Sequence, residues 1–335
     1  MATSKDVAKL AGVSHTTVSR AFHGNAKMKK ETYDRVMEAA RQLHYEPNTV
    51  AADLRSRKTN TVGIVINSAE VTFFMNVVQE LETQLQERGF RLLISFDGHD
   101  PERQFSAFRA MAGARAGAII YIPLQRPQKE EQRLGRWMKS SGIHFIQIFG
   151  THTEENSSVL IDDIGGTLLG MRYLLEKGHR RVLMVGGRER AEGFERAYAE
   201  RGIEPPVPQL NLPGDDAALC RATIKRAVKE TKPTAVFSIS DRTSVITYSV
   251  LAELRCRVPE DVSLLVFDDS FWSQSLNISV IGQPIAEIAG NIADQVIKNS
   301  KAQTESGQFA VSKTVFTPFL VDRATIMPVS QNIKE

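Results

Sequence analysis

Residues 3–22 read TSKDVAKLAGVSHTTVSRAF. Thr3 offers an oxygen where a helix would begin and Asp6 a carboxylate three positions later, the spacing of a capping box; Val7, Ala8, Leu10 and Ala11 then recur at helical period. A helix of about two turns is predicted. Gly12 ends it, Ser14 caps a second helix over 15–22, and Val13 and Val18 stand at the two positions of a hydrophobic staple. The apolar side of this second helix is Val18, Ala21 and Phe22. His15, Thr16, Ser19 and Arg20 point elsewhere, and all four carry hydrogen-bonding groups. A third helix over 31–44 would bury Val36, Ala39, Ala40 and Leu43, with Met37 at its margin, closing a core too small for much stability alone. Helix, glycine turn, helix is the helix-turn-helix plan, whose second helix lies in the major groove of DNA with its first residues against base edges.

Charge points the same way. The net charge is only +3 over 335 residues, yet residues 1–60 hold 11 Lys and Arg against 6 Asp and Glu, a balance of +5 that leaves −2 for the remainder. A polyanion suits such a unit, although a solvated basic face would have the same composition.

The longer string at 3–66, TSKDVAKLAGVSHTTVSRAFHGNAKMKKETYDRVMEAARQLHYEPNTVAADLRSRKTNTVGIVI, closely resembles the N-terminus of the lactose/galactose repressor (LacI/GalR) family. The resembling elements come in order: DVAKLAGVS, TVSR, L-x-Y-x-PN and VA-x2-LR, with VGIVI opening a new domain. The resemblance implies an all-α helix-turn-helix domain at 1–46, a hinge helix and linker at 47–60, and a two-lobed α/β body of the periplasmic-binding-protein type at 61–335. It makes His15, Thr16 and Arg20 the base-reading positions, and it assigns phosphate contacts to Ser14, Ser19, His23 and Asn25. Thr3 and Lys5 join the DNA-facing set. An Arg20 fork fits guanine O6 and N7, with a phosphate contact or a plain surface charge as the alternative. His15 fits a solvated role as well as a base contact.

Residues 47–56, PNTVAADLRS, carry the mechanism that the resemblance implies. Pro47 sets a start, Asn48 is able to cap, and Val50, Ala51 and Leu54 fall on one side of a helix of about nine residues, marginal in water by nucleation cost. In the family two such helices pair across the minor groove and each inserts a leucine into a base step. The matching residue is Leu54, flanked by Ala51 and Arg55. Ala52 and Asp53 depart from the family pattern, and an acid at Asp53 near phosphates repels unless it faces away or pairs with Arg57.

Beyond residue 61, short aliphatic runs recur: VGIVIN at 62, FRLLISF at 90, AGAIIYI at 116, HFIQIF at 144, RVLMVG at 181, TAVFSIS at 234 and VSLLVF at 262. Amphipathic stretches separate them (77–85, 168–175, 218–228, 245–254, 285–297). This alternation predicts doubly wound parallel sheets with helices on both faces. We place a first lobe at about 61–158 and 284–314 and a second at about 159–279 and 315–330, with VLIDD at 159 as the crossover and segments near 279–283 and 314–321 returning to the first lobe.

Two such lobes bind ligands where the carboxyl ends of their strands face a cleft. The family's pocket positions match Phe73 and Phe74 as an aromatic wall, Arg190 (in RAEGF, 190–194) and Asp268 as paired polar contacts, and Asp241 and Asp162 after other strands. Carboxylate and guanidinium suit polyols, although Asp241 and Asp162 also stand where helix caps belong. The resemblance therefore implies a small-molecule effector: a sugar, a sugar phosphate or a nucleobase.

Enzymatic motifs are missing from the sequence: GxGxxG, GK[ST], HExxH, CxxC and GxSxG do not occur, and the seven histidines are scattered. We expect no catalytic residues, no metal and no cofactor. Two distant cysteines, no apolar run of membrane length and no secretory signal lead us to expect a cytoplasmic chain. The C-terminal MPVSQNIKE lacks leucine heptads, so a homodimer on a pseudo-palindromic double-stranded operator is expected rather than a tetramer. Competing readings are a regulator controlled by a protein partner and a cytosolic small-molecule receptor.

Overall fold

The computed structural model describes residues 2–22, 28–45, 60–187, 190–212, 216–305 and 309–329. The chain divides into two compact units, Met1–Thr59 and Asn60–Glu335.

In the first unit, α1 (Ser4–Ala11), α2 (His15–Phe22) and α3 (Lys30–Gln42) follow the predicted order. The capping box is complete: Thr3 N–H donates to Asp6 Oδ2 at 2.8 Å and Asp6 N–H to Thr3 Oγ1 at 3.4 Å. Those bonds from Thr3 hold the Asp6 carboxyl below its ordinary pKa. Gly12 takes the left-handed conformation (φ 63°), which lets its N–H close back on the end of α1. Val7, Ala8, Ala11, Val18, Ala21, Val36, Ala39 and Ala40 form the core, and the Phe22 and Tyr45 rings meet edge to face at 5.7 Å. Five of those eight are alanines, which is why so small a unit buries so little apolar surface.

The second unit contains two sheets. The first has strand order β10-β5-β4-β3-β1-β2, all parallel, from β1 (Thr61–Ile66), β2 (Arg91–Phe96), β3 (Ala118–Tyr121), β4 (His144–Ile148), β5 (Ser157–Ile161) and β10 (Lys313–Phe316). On one face lie α4 (Thr72–Glu87) and α12 (Ile285–Glu305), and on the other α5 (Pro101–Gly113) and α6 (Gln128–Ser141). Strand periodicity sorts the side chains: Val62, Ile64 and Ile66 join the α4/α12 core, and Val65 joins the α5/α6 core. Gly63 faces α5 so closely that a Cβ there would sit 2.2 Å from Met111 Sδ.

The second sheet has order β11-β9-β8-β7-β6, from β6 (Val182–Val185), β7 (Ala235–Ser238), β8 (Ser263–Phe267), β9 (Ser279–Gly282) and the antiparallel β11 (Phe319–Val321). Helices α7 (Asp163–Glu176) and α8 (Ala191–Ala199) cover one face, and α9 (Ala217–Thr231) and α10 (Asp241–Glu253) the other. A short α11 (Phe271–Ser275) follows β8.

The chain crosses between lobes three times: after β5, between β9 and α12, and between β10 and β11. This corrects three boundaries. Residues 159–161 belong to a strand of the first lobe rather than to the crossover, because the VLI run pairs with β4 and β10. Segment 279–283, expected back in the first lobe, supplies β9 of the second, and the return comes with α12. Segment 314–321, expected back in the first lobe, and 315–330, expected in the second, divide between the two: Val315 and Phe316 stay in the first sheet, paired with Leu160 and Ile161, and Phe319–Val321 form β11 of the second. Short apolar strands look alike in sequence, and neighbouring chain, not composition, decides which sheet takes them.

Candidate DNA-reading helix and effector cleft

Helix α2 buries Val18 and Ala21 and exposes Thr16, Ser19 and Arg20, while His15 is half-buried. Its start is tied together by hydroxyls. Ser14 Oγ receives the Thr17 N–H at 3.1 Å and lies 2.7 Å from Thr16 Oγ1 and 2.8 Å from Thr17 Oγ1. His15 Nε2 is bonded at 2.8 Å to Ser4 Oγ, in the first turn of α1. Thr3 is engaged in its capping box, and Lys5 is exposed on the same helix. His23, Asn25, Asn48, Ala51, Leu54 and Arg55 lie outside the described residues.

In the second lobe, Arg190, at the N-cap of α8, has its Nε and NH2 groups 3.0 and 2.6 Å from Asp163 Oδ1. Its third nitrogen donates to the Ile239 carbonyl, and the guanidinium lies 3.6 Å over the Phe267 ring. Asp268 follows β8 with φ 76° and is buried, accepting from Gln283 Nε2. Burial pushes the Asp268 carboxyl up to about 6; Asp241 and Asp163 push the same way, while Arg190 and Gln283 hold it down. Arg190, Asp268 and Asp241 thus form one electrostatic group, closed by Trp272, whose indole N–H donates to Asp241 Oδ1 at 2.7 Å.

Two residues with an alternative capping role now separate. Asp162 caps α7, accepting from Gly165 N–H at 2.8 Å. Asp241 is no cap: Ser240 receives the Thr243 N–H instead, and Asp241 is buried against Trp272.

In the first lobe Phe73 and Phe74 meet a third ring, Phe149, with centroids 5.0 to 5.7 Å apart; Phe74 and Phe149 stack at 16°. Phe149 follows β4 with φ 59°, a conformation unusual for a bulky side chain. Asn67, just past β1, and Gln283, just past β9, each bury a carbonyl oxygen that has no hydrogen-bond partner among the described residues. Buried acceptors without partners mark places where a ligand donor would be satisfied.

The structure therefore brings Arg190, Asp268 and Asp241 together, groups Phe73 with Phe74 in the other lobe, and gives Asp162 to a helix terminus. Sequence reasoning missed Phe149, Asp163, Gln283 and Trp272. The Asp162-Asp163 doublet was a signal, since two adjacent acids allow one to cap the helix and the other to pair with Arg190. Gly186 (φ 143°), after β6, serves packing: a Cβ there would come 2.2 Å from Ile239 Cγ1. A cavity of about 910 Å³ lies elsewhere, near the amino ends of β4 and β5, against Met138, His144, Phe145 and Phe309. Among the described residues no group of three or more His, Cys, Asp or Glu could hold a metal, and no helix is long and apolar enough to cross a membrane.

A helix-turn-helix unit joined to two doubly wound lobes defines a class, the DNA-binding regulators with a periplasmic-binding-protein-like body. Residues 3–48 match the model for bacterial regulatory proteins of the lacI family, and residues 171–326 match the periplasmic binding protein-like domain. The chain thus carries a lacI-type helix-turn-helix domain and a periplasmic-binding-protein-like domain. It is 27% identical over 346 residues to the HTH-type transcriptional repressor PurR of Vibrio cholerae serotype O1 (strain M66-2), covering 99% of this chain and all of the relative. The PurR of Klebsiella pneumoniae (strain 342) is 29% identical over 324 residues, 91% of this chain and 93% of that one. Among solved structures, the Lac repressor bound to ONPG in the repressed state superposes with TM-score 0.78 at 22% identity, covering 97% of this chain and 99% of that one. The CelR–cellobiose complex gives 0.68 at 24%, covering 97% and 100%.

Proposed function

We propose that the protein represses transcription from a pseudo-palindromic operator as a homodimer, with its DNA affinity set by a small neutral effector held between the lobes. Ligand-responsive transcriptional regulation is the function of its family-level relatives. The observation that carries the reading is the exposed polar face of α2, with Thr16, Ser19 and Arg20 outward while Val18 and Ala21 are buried. Such a face has no core to serve, and its hydroxyl, methyl and guanidinium groups suit base edges and phosphates. Thr3, Lys5, Ser14, His15, His23 and Asn25 remain assigned to DNA. Asn48, Ala51, Leu54 and Arg55 remain assigned to the hinge that wedges the minor groove.

For the effector, the group holds three acids (Asp163, Asp241, Asp268) against one guanidinium (Arg190), a balance that favours a hydroxyl-rich neutral molecule over a phosphate. Phe73, Phe74 and Phe149 supply a wall for the apolar face of a sugar ring. A second copy of the chain would cover Leu93, Ile94 and Phe96, which are exposed on the sheet-edge strand β2. Such a regulator works where its operator is, in the cytoplasm.

The test is fluorescence anisotropy of the full chain on DNA from upstream of its own and neighbouring genes, across a salt series, with and without neutral mono- and disaccharides. Tight binding to one palindrome, falling steeply with salt and altered by a sugar, is expected. Weak binding indifferent to sequence, with and without sugars, would refute the reading.

A further inference from the structure

We infer that Thr16 reads thymine, and does so through its methyl group rather than its hydroxyl. The inference rests on the proposed function and names the base that α2 recognises at this position. The argument begins at Ser14. A serine hydroxyl has one proton to give and two lone pairs to receive with, so three hydrogen bonds saturate it. Ser14 Oγ has three: the N–H of Thr17 at 3.1 Å, Thr16 Oγ1 at 2.7 Å and Thr17 Oγ1 at 2.8 Å. The 2.7 Å bond to this cap turns Thr16 Oγ1 back toward the helix start. On a tetrahedral Cβ the other heavy substituent, the Cγ2 methyl, is directed away from that bond. Thr16 is exposed, so this methyl belongs to the surface that the helix offers outward.

The neighbours reinforce the assignment. His15 commits Nε2 to Ser4 Oγ across the turn at 2.8 Å, which draws the ring toward α1. Of the base-reading positions in the first turn of α2, Thr16 thus presents an apolar tip, and the exposed Arg20 one turn later presents a cation. In the major groove the apolar feature of an unmodified base is the C5 methyl of thymine, whereas guanine offers the two acceptors that fit Arg20. A C5 methyl also occurs on 5-methylcytosine, and synthetic DNA, which lacks that base, separates the two sources.

The experiment starts with selection of operator sequences from random synthetic duplexes by the full-length chain. Each thymine of the selected site is then replaced by deoxyuridine, symmetrically in the two half-sites, and affinity is read by anisotropy at fixed salt. At one position the loss of the methyl should weaken binding about fourfold per half-site, about fifteenfold for both, the equivalent of about 0.8 kcal/mol per methyl contact. Thr16→Val, which keeps a methyl and drops the hydroxyl, should retain that thymine-to-uridine ratio. Thr16→Ser, which keeps the hydroxyl and drops the methyl, should bring it to about one. A selected site indifferent to every uridine replacement overturns the inference and leaves the proposed function standing, as does a ratio that survives Thr16→Ser. A chain that selects no sequence overturns both. The wild-type uridine series and Thr16→Ser decide the matter even where Thr16→Val fails to fold.

Discussion

In the first lobe the residue after β4 is Phe149, and in the second the residue after β8 is Asp268. Both have positive φ, 59° and 76°. The runs β1-β3-β4-β5 and β6-β7-β8-β9 are the same series of parallel neighbours, so these two residues occupy equivalent places at the carboxyl ends of the two sheets. The backbone is alike and the chemistry is opposed. One residue closes a stack of three phenylalanines, and the other is a buried acid among Arg190, Asp241, Asp163 and Gln283. Left-handed residues that are not glycine cost of order 1 kcal/mol or more and persist where their surroundings hold them. The fold thus supplies the same backbone corner in both lobes, and the side chain placed there gives one lobe shape and the other charge.

Removing charge from the second lobe should be the most damaging change. Arg190→Ala leaves Asp163 and Asp268 without their cation, and we expect a loss of about 3 kcal/mol in urea unfolding, at the low end for buried pairs because Arg190 keeps some exposure. A loss below about 1 kcal/mol would place this ion pair with ordinary surface pairs and remove the contrast between lobes.

Titration provides the next largest effect. The Asp268 carboxyl, raised to about 6 by burial, binds its proton more tightly in the folded chain than in the unfolded one. Its contribution is therefore most favourable at low pH and is lost as pH rises from about 4 through about 6. Relative to Asp268→Asn, wild type should lose about 2 to 3 kcal/mol of stability between about pH 4 and pH 7. Parallel stability curves for the two proteins across that range would disprove it.

The aromatic lobe should respond less. Phe74→Ala removes a half-buried ring stacked on Phe149 and is expected to cost about 1 kcal/mol, measured in the same unfolding experiment, with the pH dependence set by Asp268 unchanged. The smallest effect should come from Asp162→Ala. It deletes a helix cap worth about 1 kcal/mol or less, again with no change in pH dependence, because Asp162 serves α7 and stands outside the charged group. A shifted pH curve in this variant would return Asp162 to the cleft.

The sequence revealed periodic features more readily than placement. The seven aliphatic runs and the helices of the first unit were legible because burial on both faces, or on one helical stripe, imposes a period that a single chain displays. Lobe membership of residues 159–161, 279–283 and 315–316 was not, since pairing partners decide it: β5 and β10 meet across more than a hundred residues, as Val159 does with Thr314, and β9 is taken by β8 beside it, as Val280 is by Val266. Arg190 and Asp268 were singled out by the family resemblance, and the structure places them in one charged group. Phe149 and Gln283 were not, because a phenylalanine ending HFIQIF looks like one more strand residue, and a glutamine after SVIG carries no motif. The distinction between Asp162 and Asp241 needed coordinates: both follow strands and precede helices, and only the hydrogen bonds reveal that Ser240, one residue earlier, has taken the capping role from Asp241.

The three crossings between the lobes have a mechanical consequence. The first and third run side by side, with Asp162 N–H donating to the Phe316 carbonyl at 2.9 Å, and the second and third contain Pro284 and Pro318, each with a locked φ. Parallel straps of this kind behave as a leaf spring: they flex across their width and resist torsion along it. Relative motion of the lobes is thereby biased toward one bending coordinate, so that work done on the spring by the effector proposed above would be delivered along that coordinate instead of being dissipated over many.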